Sequence, residues 1–181
     1  MQKLSEFKLP KGFRGKNAVI VQLWWLIQST LFRLSPQFMY GWRRFLLRLF
    51  GAKIGKSVII RPTVKITYPW KVKIGDYSWI GDDVNLYSLG EIEIRKNVVI
   101  SQKSYLCTGS HDYSKINFPI YAKKITIEDE CWIATDVYIA PGITIRKGAI
   151  VGARSSVFKD LKGSKIYIGS PVKFIKNREV E

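Results

Sequence analysis

A chain of 181 residues with 46% hydrophobic side chains has room for one domain with a real core, and this composition argues against disorder. Its 30 Lys and Arg against 14 Asp and Glu leave a net charge of +16, which attracts phosphate on nucleic acid, on an anionic membrane surface or on a polyphosphorylated small molecule. The two cysteines, Cys107 and Cys131, form no CxxC and have no histidine cluster, which argues against zinc and against a disulfide framework; they read as buried thiols in a reducing compartment.

The opening stretch MQKLSEFKLPKGFRGK has no apolar core and no small-residue cleavage site, so no secretory signal is expected. Residues 1–50 carry 9 Lys or Arg against the single acid Glu6, and the remaining excess is spread over residues 51–181. Residues 17–50 read as helix. Asn17 is placed to cap AVIVQLWWLIQSTLFRL, which is apolar almost all round. Ser35 as N-cap, Pro36 at the first helical position and Gly51 beyond the end bound a second segment. In it Phe38, Trp42, Phe45, Leu46 and Leu49 follow the spacing of one helix face, and Arg43, Arg44 and Arg48 point the other way. Such a basic N-terminal segment suits a helix lying in the interface of an anionic membrane. Its first part, about 17 residues long, falls short of the roughly 20 that a span requires. Packing on the end of the main domain, or on a neighbouring subunit, is the other reading, and the sequence leaves both open.

From residue 54 the period changes to six. Ile54, Ile60, Ile66, then Ile74, Ile80, Leu86, then Ile94, Ile100, Leu106 are followed, after a gap, by Ile127, Ile133, Ile139, Ile145, Val151 and Val157. Four residues beyond most of these anchors stands a small or modest side chain, as at Val58, Ser78, Ser104, Cys131 and Ser155, and Gly or Ala often follows the anchor directly, as at Gly75 and Gly81. A coil with one flat face per hexad explains the pattern, the anchor pointing inward and the small residue turning the corner. Three hexads close a triangle, so the anchors predict five coils, 54–71, 74–91, 94–111, 127–144 and 145–162. The fold class is therefore all-β, a parallel β-helix of about five triangular coils over residues 51–181, preceded by the helical segment 1–50.

The gap after the third coil, 112–126, is expected to fold outward as a loop. His111, the only histidine, stands at its edge, where a rigid coil meets a loop.

The stretches IGDYSWIGDDVNL, ITIEDECWIATDVYIAPGITI, AIVGARSSVFKDL and IGSPVKFI resemble the hexapeptide-repeat acyltransferases. With LLRLFGAKIG leading into the coils and YLCTGSHDY at the loop, the chain is most similar to the acetyltransferases of exopolysaccharide synthesis, of the colanic acid type. The resemblance implies a left-handed helix, a homotrimer, acetyl-CoA as acyl donor with no metal, and a saccharide acceptor. By position in the motifs it implies His111 as general base, Trp132 as a residue lining the acceptor tunnel, Thr135 and Ala153 on the pantetheine arm, and Lys159, Lys173 and Lys176 near the nucleotide phosphates. The sugar-contacting Asn and Asp of galactoside and maltose relatives have no counterpart; Gly81 and Leu89 stand near those positions, and Asn85 is the nearest polar substitute. Plain alternatives exist: Trp132 also fits a subunit contact, and Lys173 and Lys176 fit solvated charges at a chain end.

Acetyl transfer to a sugar hydroxyl needs a base that takes the proton as the oxygen attacks, and an imidazole suits that task near neutral pH. Asp112, a backbone carbonyl or a more distant acid are candidates to orient the ring. Cys107 has no base in fixed relation to it. The expected function is thus O-acetylation of a saccharide, in the cytoplasm or at the inner face of the membrane, with a lipid-linked repeat unit as one acceptor. N-acetylation of an amino sugar and a non-catalytic scaffold binding polyanions are the alternatives. No recognition helix, RNP or finger motif points to nucleic acid as a partner.

Overall fold

Anchors recurring every six residues bend the backbone into a triangular prism. The computed structural model describes residues 2–179, so the outermost residues of the two expected regions, 1 and 180–181, lie outside the described residues. Strands Lys53–Ile54, Ile59–Ile60 and Lys65–Ile66 make the three sides of the first coil. Equivalent strands of later coils stack on them in parallel. The first sheet pairs Ile54 with Ile74, then Ile94, Ile127 and Ile145 in register. The second sheet does the same from Ile60 through Ile80, Ile100 and Ile133 to Val151, and the third from Ile66 through Leu86, Leu106 and Ile139 to Val157.

All fifteen anchors are buried, forming one continuous core. Each contributes on the order of 1.5–3 kcal/mol through apolar area removed from water. Corner positions hold small residues for two reasons. Buried hydroxyls satisfy backbone groups of the turns: Ser78 Oγ donates to the Arg95 carbonyl and accepts from Val98 N–H, and Ser104 Oγ does likewise between Ala134 and Val137. Space is also missing, since a Cβ at Gly75 would lie 2.7 Å from the Arg95 carbonyl carbon of the next coil.

The prism extends slightly beyond five coils. Leu161 bridges to Ile145, and Lys165–Ile168 pairs with Ile150–Val151 as the start of an incomplete sixth. Lys173–Asn177 then returns antiparallel along Lys165–Ile168 and closes the edge of the second sheet.

The open edge at the other end is capped by helices. Helix α1, Ala18–Ile27, begins at Asn17, whose side chain accepts from Ile20 N–H, and runs into a π-helical turn, Gln28–Phe32. Helix α2 spans Tyr40–Leu49. Carbonyls of the first coil have no strand below them and take side-chain donors instead. Trp24 Nε1 donates to Ile66, Arg44 to Val58, and Arg48 to Ile54 and Gly55. Arg43, fully buried, donates to Ile60. This corrects two expectations. Ser35 does not cap α2, because Arg43 gathers Ser35 Oγ and the carbonyls of Pro36 and Gln37 into a loop that delays the helix to Tyr40. Nor do the arginines oppose the packed face. Arg43, Leu46 and Leu47 are buried, while Phe38, Phe45 and Leu49 face outward.

Candidate active site

The path leaves the third coil just after Tyr105–Cys107. Thr108, buried, fixes the departure: its hydroxyl donates to the Tyr87 carbonyl and accepts from Gly90 N–H. Gly109 follows because a Cβ there would meet Leu89 Cδ1 at 2.6 Å. Gly109–His111 pairs antiparallel with Ile120–Ala122, and the coil resumes at Ile125–Ile127 in register with Ile92–Ile94. The excursion therefore covers 108–124, starting before the expected 112, and His111 sits on its first strand instead of closing the coil.

His111 is half-buried. Its Nδ1 lies 2.9 Å from the Phe118 carbonyl oxygen. A carbonyl only accepts, so Nδ1 carries a proton, and whenever the ring is neutral its lone pair lies on Nε2. Phe118 also stacks on the ring at 4.3 Å and 8°, and Phe7 approaches the ring at 5.9 Å. The N-terminal segment is tied to the same loop by Lys3 N–H, which donates to Ile116 O at 2.7 Å. Asp112 does not orient the ring. It accepts from Ser114 N–H and Oγ and pairs with Lys115, and those hydrogen bonds hold its carboxyl below the usual range.

The other expected site residues lie elsewhere on the prism. Trp132, 47% exposed on the second sheet, donates its indole N–H to Ser101 Oγ. Thr135 and Ala153 occupy the corner between the second and third sheets on successive coils, joined by Arg154 N–H to the Thr135 carbonyl at 2.9 Å. Gly169 and Ser170 close over that corner, bonded to Ser155 and Ser156. Lys173 and Lys176 are exposed on the return strand beside it. Lys159 is exposed beyond the end of the third sheet, on the side of the prism from which the His111 hairpin leaves. Asn85 is half-buried on the third sheet and lines a depression of about 300 Å³ with Trp25, Gln28 and Tyr87. The chain thus gathers Trp132, Thr135, Ala153 and Lys173 on one side of the prism. His111 stands at a different corner, with the third sheet between them.

Features that sequence reasoning missed fill the intervening surface. On the third sheet Tyr87, Tyr105, Tyr138 and Phe158 form a column of rings with neighbouring centroids 5.9, 6.1 and 5.8 Å apart. Burial pushes the hydroxyls of Tyr105 and Tyr138 up to about 12. On the second sheet Trp79, Gly81, Asp82, Gln102 and Lys103 help line a depression of about 640 Å³. The position before each anchor points outward, so Tyr105, Tyr138 and Trp79 were readable as surface aromatics. The cysteines are free and buried, and burial raises the Cys131 thiol to about 11.

No family model matches this chain. It is 63% identical over 178 residues, 98% of both chains, to the colanic acid biosynthesis acetyltransferase WcaF of Escherichia coli K12. A maltose O-acetyltransferase from Clostridium difficile 630 superposes with a TM-score of 0.81 at 26% identity, covering 91% of this chain and 90% of that one. A hexapeptide-repeat acetyltransferase from Vibrio cholerae O1 biovar eltor, solved with acetyl coenzyme A, gives 0.82 at 22% identity over 92% of each chain, a likeness of fold alone. The prism is accordingly the left-handed parallel β-helix.

Proposed function

This chain belongs to the WcaF-type hexapeptide-repeat acetyltransferases, and from that premise we propose that it moves an acetyl group from acetyl-CoA to a saccharide hydroxyl in exopolysaccharide synthesis. The observation that carries this reading is the 2.9 Å contact of His111 Nδ1 with the Phe118 carbonyl, which in the neutral ring puts the proton on Nδ1 and the lone pair on Nε2. Nε2 takes the hydroxyl proton as the sugar oxygen bonds to the thioester carbonyl carbon. The C–S bond then breaks, and the imidazolium returns its proton to the departing thiolate. The Phe118 carbonyl keeps its hydrogen bond from Nδ1–H throughout, and a backbone N–H in the turn around Thr135 receives the developing oxyanion.

The separation of His111 from the donor corner favours a site built by two copies of the chain, in a homotrimer. His111 of one copy then faces Trp132, Thr135 and Ala153 of the next, with Lys173 and Lys176 beside the nucleotide phosphates and Asn85 on the acceptor side; Lys159, on the hairpin side of the prism, comes to the phosphates from the copy that supplies His111. Exposed ammonium groups and a corner with small side chains suit a polyphosphate carrying a narrow arm. The acceptor is a saccharide on a lipid-linked precursor, met at the inner membrane surface.

Mixing two inactive variants tests this arrangement. His111→Ala lowers turnover at least about a hundredfold, and Ala153→Trp obstructs the donor corner. Trimers assembled from both variants recover activity at about a quarter of their sites if each site draws on two chains. No recovery means a site within one chain, and wild-type turnover of His111→Ala removes the base. Release of the product's acetyl group in mild alkali identifies an ester, whereas resistance identifies an amide.

A further inference from the structure

The helical cap has a second face that the fold does not use. On α1, Val21 and Trp24 point to the first coil, and the opposite side of the helix, continuing through the π-helical turn, carries Val19, Leu23, Leu26, Leu31 and Leu34. These are exposed by 75, 47, 60, 51 and 77%, and Phe38 after them by 78%. Such a run of large apolar side chains facing away from the core marks an interaction surface.

Charge identifies what covers it. Up to Gly75 the chain holds 15 Lys and Arg with one acid, Glu6, whereas residues 76–181 hold 15 with 13 acids. Nearly the whole net charge therefore sits on the N-terminal segment, the helical cap and the start of the prism. Three of those cations, Arg43, Arg44 and Arg48, are engaged on carbonyls of the first coil. Lys8, Lys11, Lys16 and Arg33 are exposed, with Arg33 directly beside Leu34 in the apolar run. A second copy meeting this end would bring like charge against like charge. No helix among the described residues is long and apolar enough to cross a membrane.

We propose that this end of the prism docks on an anionic lipid bilayer, with Leu26, Leu31, Leu34 and Phe38 entering the boundary between headgroups and acyl chains and the lysines meeting the headgroups. Apolar burial and headgroup attraction act together in such a surface helix. Docking deepens the reading of a lipid-linked acceptor and rests on it for biological purpose only, since vesicle binding needs no acceptor.

Flotation of the full chain with vesicles tests this directly. Vesicles of phosphatidylcholine with about a quarter phosphatidylglycerol should bind the protein, pure phosphatidylcholine should bind it weakly, and salt should release it. The double variant Leu26→Glu, Leu34→Glu should bind about tenfold less or worse. It should keep its oligomeric mass, its thermal midpoint and its acetyl transfer to a water-soluble saccharide. The charge variant Lys8→Gln, Lys11→Gln, Lys16→Gln should lose the preference for anionic vesicles. Absence of wild-type binding, equal binding by the double variant, or a changed oligomeric mass in it overturns the proposal; the last outcome gives the face to a second copy. Loss of transfer to the soluble acceptor in the wild type would count against the acetyltransferase reading and leave docking unaffected.

Discussion

An imidazole acts as a base only where its lone pair is, and the Phe118 carbonyl decides that for His111. Two rings then hold the imidazole plane, Phe118 stacked within the hairpin and Phe7 from the N-terminal segment. Phe7 contributes little to the core, because the segment around it is exposed. Its replacement by alanine is therefore expected to lower kcat about three- to tenfold while leaving the KM for acetyl-CoA and the thermal midpoint nearly unchanged. Phe7→Leu, which keeps apolar cover on the ring, should restore most of the rate. Equal kcat in Phe7→Ala would show that the hairpin alone positions the proposed base. His111 itself was legible as a solitary imidazole beside a broken repeat. A backbone carbonyl was among the candidates to orient it, but which carbonyl was not legible, because the main chain leaves no residue type to read, and Phe7 lies too far along the chain for spacing to connect the two.

Helix α2 shows how an element can be recognised while its orientation is misread. Its periodicity places aromatic and aliphatic residues on one face, and hydropathy alone buries that face. The first coil instead requires donors for carbonyls that no strand below can satisfy, and such an edge left bare is also a template for unwanted pairing. Arg43 meets that need at Ile60 and spends its other three hydrogen bonds on Ser35, Pro36 and Gln37 of the preceding loop, tying that loop to the coil. Burial also pushes its guanidinium below the usual arginine range. Arg43→Met fills the space but strands several acceptors, and a loss of about 3 kcal/mol is expected in urea unfolding. Arg43→Lys should not recover it, because one ammonium cannot reach the same spread of oxygens. A loss below about 0.5 kcal/mol would mean that water satisfies these carbonyls.

At the scale of the molecule, the repeat is local and periodic, so the prism could be read from anchors spaced by six. The proposed site could not, because its expected residues lie at different corners of one chain and meet only between the chains of the proposed trimer. The surface offered for such a contact is the third sheet, between the proposed donor corner and the His111 hairpin. Its ring column ends at Phe158, 59% exposed and 5.8 Å from Tyr138. A carboxylate buried there on assembly would be desolvated without a partner, a cost of several kcal/mol. Phe158→Asp, being exposed in the single chain, should leave the coil folded. The expected outcome in light scattering is a shift from the proposed trimer to monomer, with specific activity that rises with protein concentration as mass action restores assembly. The His111→Ala control should be trimeric and inactive at every concentration, separating loss of assembly from loss of the base. If Phe158→Asp stays trimeric with full, concentration-independent activity, the third sheet is free, and the second sheet with Trp79 and Trp132 becomes the face through which two chains would have to meet.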